Sequence, residues 1–167
     1  MKFDYVERAT EFISDFIDFI NGKTEHLYDC FWLCKDINRY NKTLGIKATY
    51  DSGLTRHVIL NEDYVIKWDK NPERASRFGG CENEVEKYKE AERDEMAYLL
   101  APITPIEVDG MSFYVMPKVD YVAEADIYEY LTKKEMIWVN DNLDDIHGEN
   151  WGWYDGEIMI FDYAFPV

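Results

Sequence analysis

Apolar residues recur every three or four positions over residues 3–21. Phe3, Val6, Ala9, Ile13, Phe16 and Ile20 fall on one helical face, and Asn21-Gly22 ends the run. Thr24 is placed to cap a second helix, with Leu27, Phe31, Cys34 and Ile37 along one side, reaching about Thr43 before Gly45. The rhythm then changes. Ile46–Tyr50, Thr55–Leu60 and Tyr64–Trp68 are short runs of β-branched and aromatic residues, separated by the turn compositions Asp51-Ser52-Gly53 and Asn61-Glu62-Asp63. They predict a three-strand meander. Gly79-Gly80 precedes a predicted helix from about Cys81 to Leu100. Pro102–Val108 and Met111–Met116 predict a hairpin across Asp109-Gly110, a favoured tight-turn pair.

After Pro117 a helical stretch is predicted at about 123–131. Thr132-Lys133-Lys134-Glu135 then fits a capping box that opens a short helix to about Asp141. Trp151–Trp153 and Ile158–Phe161 read as a last hairpin around Tyr154-Asp155-Gly156. Two helices, three strands, a helix, two strands, two helices and a hairpin make an α+β chain.

Length and composition narrow the functional classes. The 167 residues suit one compact unit, and 47% apolar with 16% aromatic residues exclude a disordered chain. The net charge of −16 repels bare phosphate backbone and anionic lipid, so neither nucleic acid nor a membrane surface is an expected partner. Residues 120–167 concentrate that charge, with 12 acids against 2 bases. Solubility accounts for such a charge without further function, whereas mimicry of nucleic acid would rest on charge alone. Three cysteines and no signal-like N-terminus predict a reducing, cytoplasmic setting. His26, Cys30 and Cys34 are spaced to share a helical face but lack a fourth ligand, so the thiols read as core.

The acidic segment also holds the candidate chemistry. Asp145 and Asn150 lie five apart in Asp145-Ile146-His147-Gly148-Glu149-Asn150, and Asp162 follows the β-ribbon. Phosphoryl transfer uses a carboxylate beside the acceptor hydroxyl and two oxygen ligands for Mg²⁺ on the nucleotide. Upstream, Lys67 ends the third strand in Val65-Ile66-Lys67, and Glu84 in the next helix is placed to hold it toward phosphates.

In this order the motifs resemble those of the protein-kinase-like superfamily, and in particular a very small, phage-type member. The Asp145–Asn150 segment is similar to the catalytic loop of aminoglycoside- and choline-kinase relatives. Phe161-Asp162-Tyr163 resembles the metal-binding motif, and Ser112–Val119 resembles the fifth strand and hinge. The resemblance implies a five-stranded antiparallel N-lobe sheet with one main helix and a severely truncated C-lobe. Residues 1–44 would then be a helical extension and 45–167 the minimal kinase-like domain.

It also implies ATP and Mg²⁺ as cofactors. Lys67 would bind phosphates with Glu84 positioning it, Asp145 would orient the acceptor, and Asn150 with Asp162 would hold the metal. Met116 as gatekeeper, the Pro117 carbonyl and the Val119 amide would face adenine. Ser52 and Gly53 would belong to the loop over the phosphates, although that loop carries one glycine where the family uses several. The expected activity is phosphorylation of a protein hydroxyl, in the host cytoplasm if the chain is phage-encoded. The alternative is an inactive kinase-like protein that inhibits or redirects a host protein, using an aromatic patch of Trp151, Trp153, Tyr154 and Phe165.

Overall fold

The computed structural model describes residues 4–75, 80–121, 126–143, 146 and 149–163. Helix α1 spans Asp4–Phe19 and buries Tyr5, Ala9, Phe12, Ile13, Phe16 and Ile17. Thr24 does not cap the second helix. Thr24–Tyr28 is a 3₁₀ turn, and α2 runs over Cys30–Leu44. Its cap is Asp29, whose carboxylate accepts from the Phe31 and Trp32 N–H groups at 2.9 and 3.2 Å. Gly45 closes α2 at φ 68°, a left-handed conformation that glycine adopts freely.

The meander and hairpin form, but the first strand begins three residues later than Ile46 and takes in Asp51 and Ser52, which read as turn by composition: β1 Thr49–Ser52, β2 Arg56–Leu60, β3 Tyr64–Asp69, β4 Thr104–Val108 and β5 Met111–Pro117. They join in one antiparallel sheet of order β1-β2-β3-β5-β4. Helix α3, Cys81–Arg93, stops well short of Leu100. Glu95 takes φ 59°, and the Glu95 and Met96 N–H groups turn back to the carbonyls of Glu92 and Ala91. That is a Schellman stop made without glycine, which is why apolar spacing overruns it.

Residues 122–125 lie outside the described residues, and the predicted helix there is represented by one 3₁₀ turn, Ile127–Glu129. The capping box is present: Glu135 N–H donates to Thr132 Oγ1, Thr132 N–H donates to Glu135 Oε2, and α4 follows over Lys133–Asn142. Strands β7, Trp151–Tyr154, and β8, Glu157–Ile160, form the last hairpin. A two-residue strand, β6 at Asp120–Tyr121, adds to β7 and makes a second sheet of order β6-β7-β8. Among the described residues, no helix is long and apolar enough to cross a membrane.

Strand alternation sorts the large sheet's side chains onto two faces. Tyr64, Ile66 and Trp68 of β3, with Phe113 and Val115 of β5, join α1 and α2 in one apolar cluster. The Trp68 indole N–H donates to the Leu27 carbonyl at 2.6 Å, tying the 3₁₀ turn to the sheet. Residues 1–44 are thus more than an appendage, because their described helices cover a sheet face that would otherwise meet water. Each large apolar side chain so buried contributes about 1.5–3 kcal/mol. The other face meets α3, α4 and the second sheet through Cys81, Val85, Tyr114, Met116, Trp138 and Trp151.

Candidate functional site

The second face of the large sheet does not pack fully. A cavity of about 450 Å³ lies between it, the β5–β6 connection and the end of β8. Val58, Leu60 and Val65 form its apolar wall, with Met116, Pro117, Lys118 and Val119 alongside. Arg56, Lys67, Asp51, Glu149 and Asp162 supply charge, and Tyr121 and Phe161 supply aromatic surface.

Several residues singled out from the sequence meet here. Lys67 follows Val65 by two along β3, so both face the cavity. Its Nζ lies 3.4 and 3.5 Å from the two carboxylate oxygens of Glu84. Glu84, in the first turn of α3, is fully buried. Met116, Pro117, Val119 and Gly53 line the same cavity. The Lys118 N–H turns to the Asp63 carbonyl at 3.0 Å. The Pro117 carbonyl, in the same trans peptide, therefore points to the opposite edge, past the last β4–β5 pair, Thr104–Val115.

Asn150 is buried between the sheets, where its Nδ2 donates to the Asp162 carbonyl at 3.2 Å. Its Oδ1 is buried without a hydrogen-bond partner. An orphaned amide oxygen on Asn150 and the partly exposed carboxylate of Asp162, whose carbonyl Asn150 holds, are oxygen donors of the kind that suits a hard cation such as Mg²⁺. Among the described residues no group of three His, Cys, Asp or Glu side chains gathers as a metal site, so any cation here needs oxygens from a ligand as well. Asp145 lies outside the described residues.

Ser52 departs from expectation. It sits one residue beyond Asp51 on β1, so the strand period turns it to the opposite face, where its Oγ lies 3.5 Å from Cys30 Sγ. Cys30 and Cys34 are exposed rather than core, because the stripe of α2 that packs inward carries Leu33, Ile37 and Tyr40. His26 is instead paired to Asp36 at 2.7 Å. The aromatic patch also fails to form as drawn. Trp151 is fully buried, Trp153 and Tyr154 are half-buried, and Phe165 lies outside the described residues.

Arg56 is the functional-site residue that spacing did not single out. Its buried guanidinium lies 2.6 Å from Glu84 Oε1 and 2.9 Å from Asp162 Oδ1, so it links α3 to the end of β8. Burial opposes its charge, yet Glu84 and Asp162 hold its pKa above the usual arginine value. One signal was available: Arg56, Val58 and Leu60 alternate along β2, and the last two are apolar. Glu82, two residues before Glu84, accepts from the Tyr114 hydroxyl at 3.1 Å, outside the cavity lining. Burial and this contact raise the Tyr114 pKa.

The arrangement offers two buried cations, a buried carboxylate shared between them and a half-exposed carboxylate, all against an apolar wall. It suits a ligand with a flat apolar part and an anionic part. No protein-family model, no curated protein and no solved structure matches the chain.

Proposed function

We propose that the chain is an ATP·Mg²⁺-dependent phosphotransferase of minimal kinase-like fold that acts on a protein hydroxyl. One observation carries the reading: Lys67, held by the buried Glu84, and Asp162 line a single cavity whose other wall is apolar. The strand order β1-β2-β3-β5-β4, with α3 supplying Glu84, supports it.

In this reading the apolar wall of Val58, Leu60, Val65 and Met116 takes the base, with the Pro117 carbonyl and Val119 N–H giving it orientation. Lys67 contacts the α- and β-phosphates, and Glu84 holds the ammonium in place against the loss of side-chain freedom. Asn150 Oδ1 and the Asp162 carboxylate are the chain's metal ligands. Mg²⁺ bound there supplies charge neutralisation for the transferring phosphoryl oxygens. Asp145 orients the acceptor hydroxyl and accepts its proton.

Phosphate transfer from labelled ATP, to the chain itself or to host lysate, tests the reading. Transfer should vanish in Asp145→Ala and in Lys67→Ala. Signal that persists in both variants excludes it.

The second reading is a kinase-like protein that binds a partner without turnover. It is favoured by the Arg56–Asp162 ion pair, which occupies a carboxylate oxygen the metal would use. Under that reading partner capture survives Asp145→Ala and needs no nucleotide.

A further inference from the structure

The loop between β1 and β2 uses backbone donors within its own chain. The Ser52 N–H donates to Asp51 Oδ1 at 2.8 Å, and the Gly53 N–H donates to the Arg56 carbonyl at 3.0 Å. Gly53 has no left-handed φ, and a Cβ there would meet nothing closer than the Arg56 carbonyl oxygen at 3.8 Å. Asp51 adds negative charge to the same wall. A polyphosphate entering the cavity would find neither of these two amides open to it, although backbone N–H groups are what a phosphate-cradling loop supplies.

Arg56 stands directly after that loop, and β2 alternation turns its side chain into the cavity. Its neighbours make a structural role incomplete as an explanation. Glu84 is the one fully buried carboxylate of the cluster, and it is already shared between Lys67 and Arg56. Two buried cations facing one buried anion leave an excess positive charge. Asp162 balances it from the cavity side, and its side chain is 43% exposed. A guanidinium has donors in a planar fork that match phosphate oxygens two at a time, which an ammonium does not.

We propose that Arg56 is a polyphosphate-binding residue of this cavity, supplying through its side chain the anion contacts that the Ser52 and Gly53 amides do not make. Its role rests on the nucleotide reading above and adds to it a second phosphate-binding cation beside Lys67. Glu84 holds Arg56 in both states. Asp162 is the partner that an incoming anion displaces, so the ion pair is a resting contact of the empty cavity. Arg56 thus sets preference for charged over uncharged nucleosides.

Calorimetric titration of adenosine, ADP, ATP and inorganic tripolyphosphate at one ionic strength tests this in wild type, Arg56→Lys and Arg56→Gln. ATP affinity should fall about tenfold or more in Arg56→Gln while adenosine affinity holds, with Arg56→Lys in between. The lysine variant keeps the charge beside Glu84 and carries the test if the glutamine variant does not fold. An ATP-to-adenosine preference within about twofold of wild type in the folded variants overturns the proposal. An equal loss for adenosine and ATP also overturns it, because that marks Arg56 as scaffold. The tripolyphosphate arm separates the two readings. If wild type binds tripolyphosphate in an Arg56-dependent way but neither ATP nor adenosine, the nucleotide reading fails and the anion site stands. If it binds none of the four, both fail.

Discussion

The Arg56 guanidinium meets the Asp162 carboxylate at 2.9 Å, joining the start of β2 to the segment that follows β8. Asp162 takes φ 58°, a left-handed conformation that aspartate tolerates better than most residues. The Asp162 side chain is partly in solvent while Arg56 is buried, so the pair adds on the order of 1 kcal/mol to folding. Asp162→Asn keeps an oxygen acceptor for Arg56 and should lower the melting temperature by only a few degrees. Under the proposed function it should abolish the Mg²⁺-dependent part of the stabilisation by ATP, read as a thermal shift with and without the metal. A Mg²⁺ increment equal to wild type would remove Asp162 from the metal site.

Glu84 behaves differently because it is fully buried and holds both Arg56 and Lys67. Glu84→Ala leaves two buried cations without their carboxylate, at a cost of about 3–5 kcal/mol. Lys67→Met leaves Glu84 paired to Arg56 and costs markedly less. Urea denaturation of the two variants measures the contrast. Equal losses would mean that Lys67, not Arg56, is the principal partner of Glu84.

Two glycines should respond in opposite ways. A Cβ on Gly152 of β7 would collide with the Asp120 carbonyl oxygen of β6, which cannot move without breaking the small sheet. Gly152→Ala should cost about 1–3 kcal/mol. It should also disturb the cavity through Tyr121, the β6 residue that lines it. Gly53→Ala finds open space and should be nearly neutral in both stability and ATP affinity. A chemical-melt comparison of the two variants settles this, and strong loss of ATP binding in Gly53→Ala would return the loop backbone to the phosphate site.

Acid should weaken the fold through His57. Its ring is buried beside Tyr50 and Trp68, Tyr50 Oη lies 2.8 Å from Nδ1, and burial lowers its pKa from 6.5 to about 4. The unfolded chain therefore binds more protons than the folded one between these values, and stability rises with pH across that window. The contribution of neutral His57 is fully present above about pH 6.5 and lost toward pH 4. His57→Gln should flatten the melting temperature between pH 4 and 6.5 relative to wild type. Parallel pH profiles of the two proteins would place the dependence elsewhere.

Much of the fold was legible because its signals are local. The Asp109-Gly110 hairpin and the Thr132–Glu135 capping box each depend on a few adjacent residues, and both form. Thr24 misled because Asp29 offers the same chemistry five residues later, and Asp29 is the one with two N–H donors in reach. The Glu95 stop was hidden because a left-handed glutamate carries no compositional mark. At the site, Lys67 and Glu84 were readable from a strand end and the helix after it, and they do meet. Ser52 was read as part of a turn over the phosphates, whereas it is the last residue of β1. Trp151 reads either as packed on the hairpin or as part of an exposed patch, because a hairpin alone does not say which of its faces will be covered, and the structure packs it.

By itself, the sequence determined most of the elements and their order, the α+β class and the net charge. These follow from periodicity, caps, turn residues and net charge, which act over a few residues or over the whole chain at once. Only the tertiary structure decided that α1 and α2 cover the large sheet, that Trp151 is core, and that Arg56 stands between Glu84 and Asp162. Burial and ion pairing are properties of neighbours brought from distant parts of the chain, and an arginine at the start of a strand carries no local sign of which carboxylates will surround it.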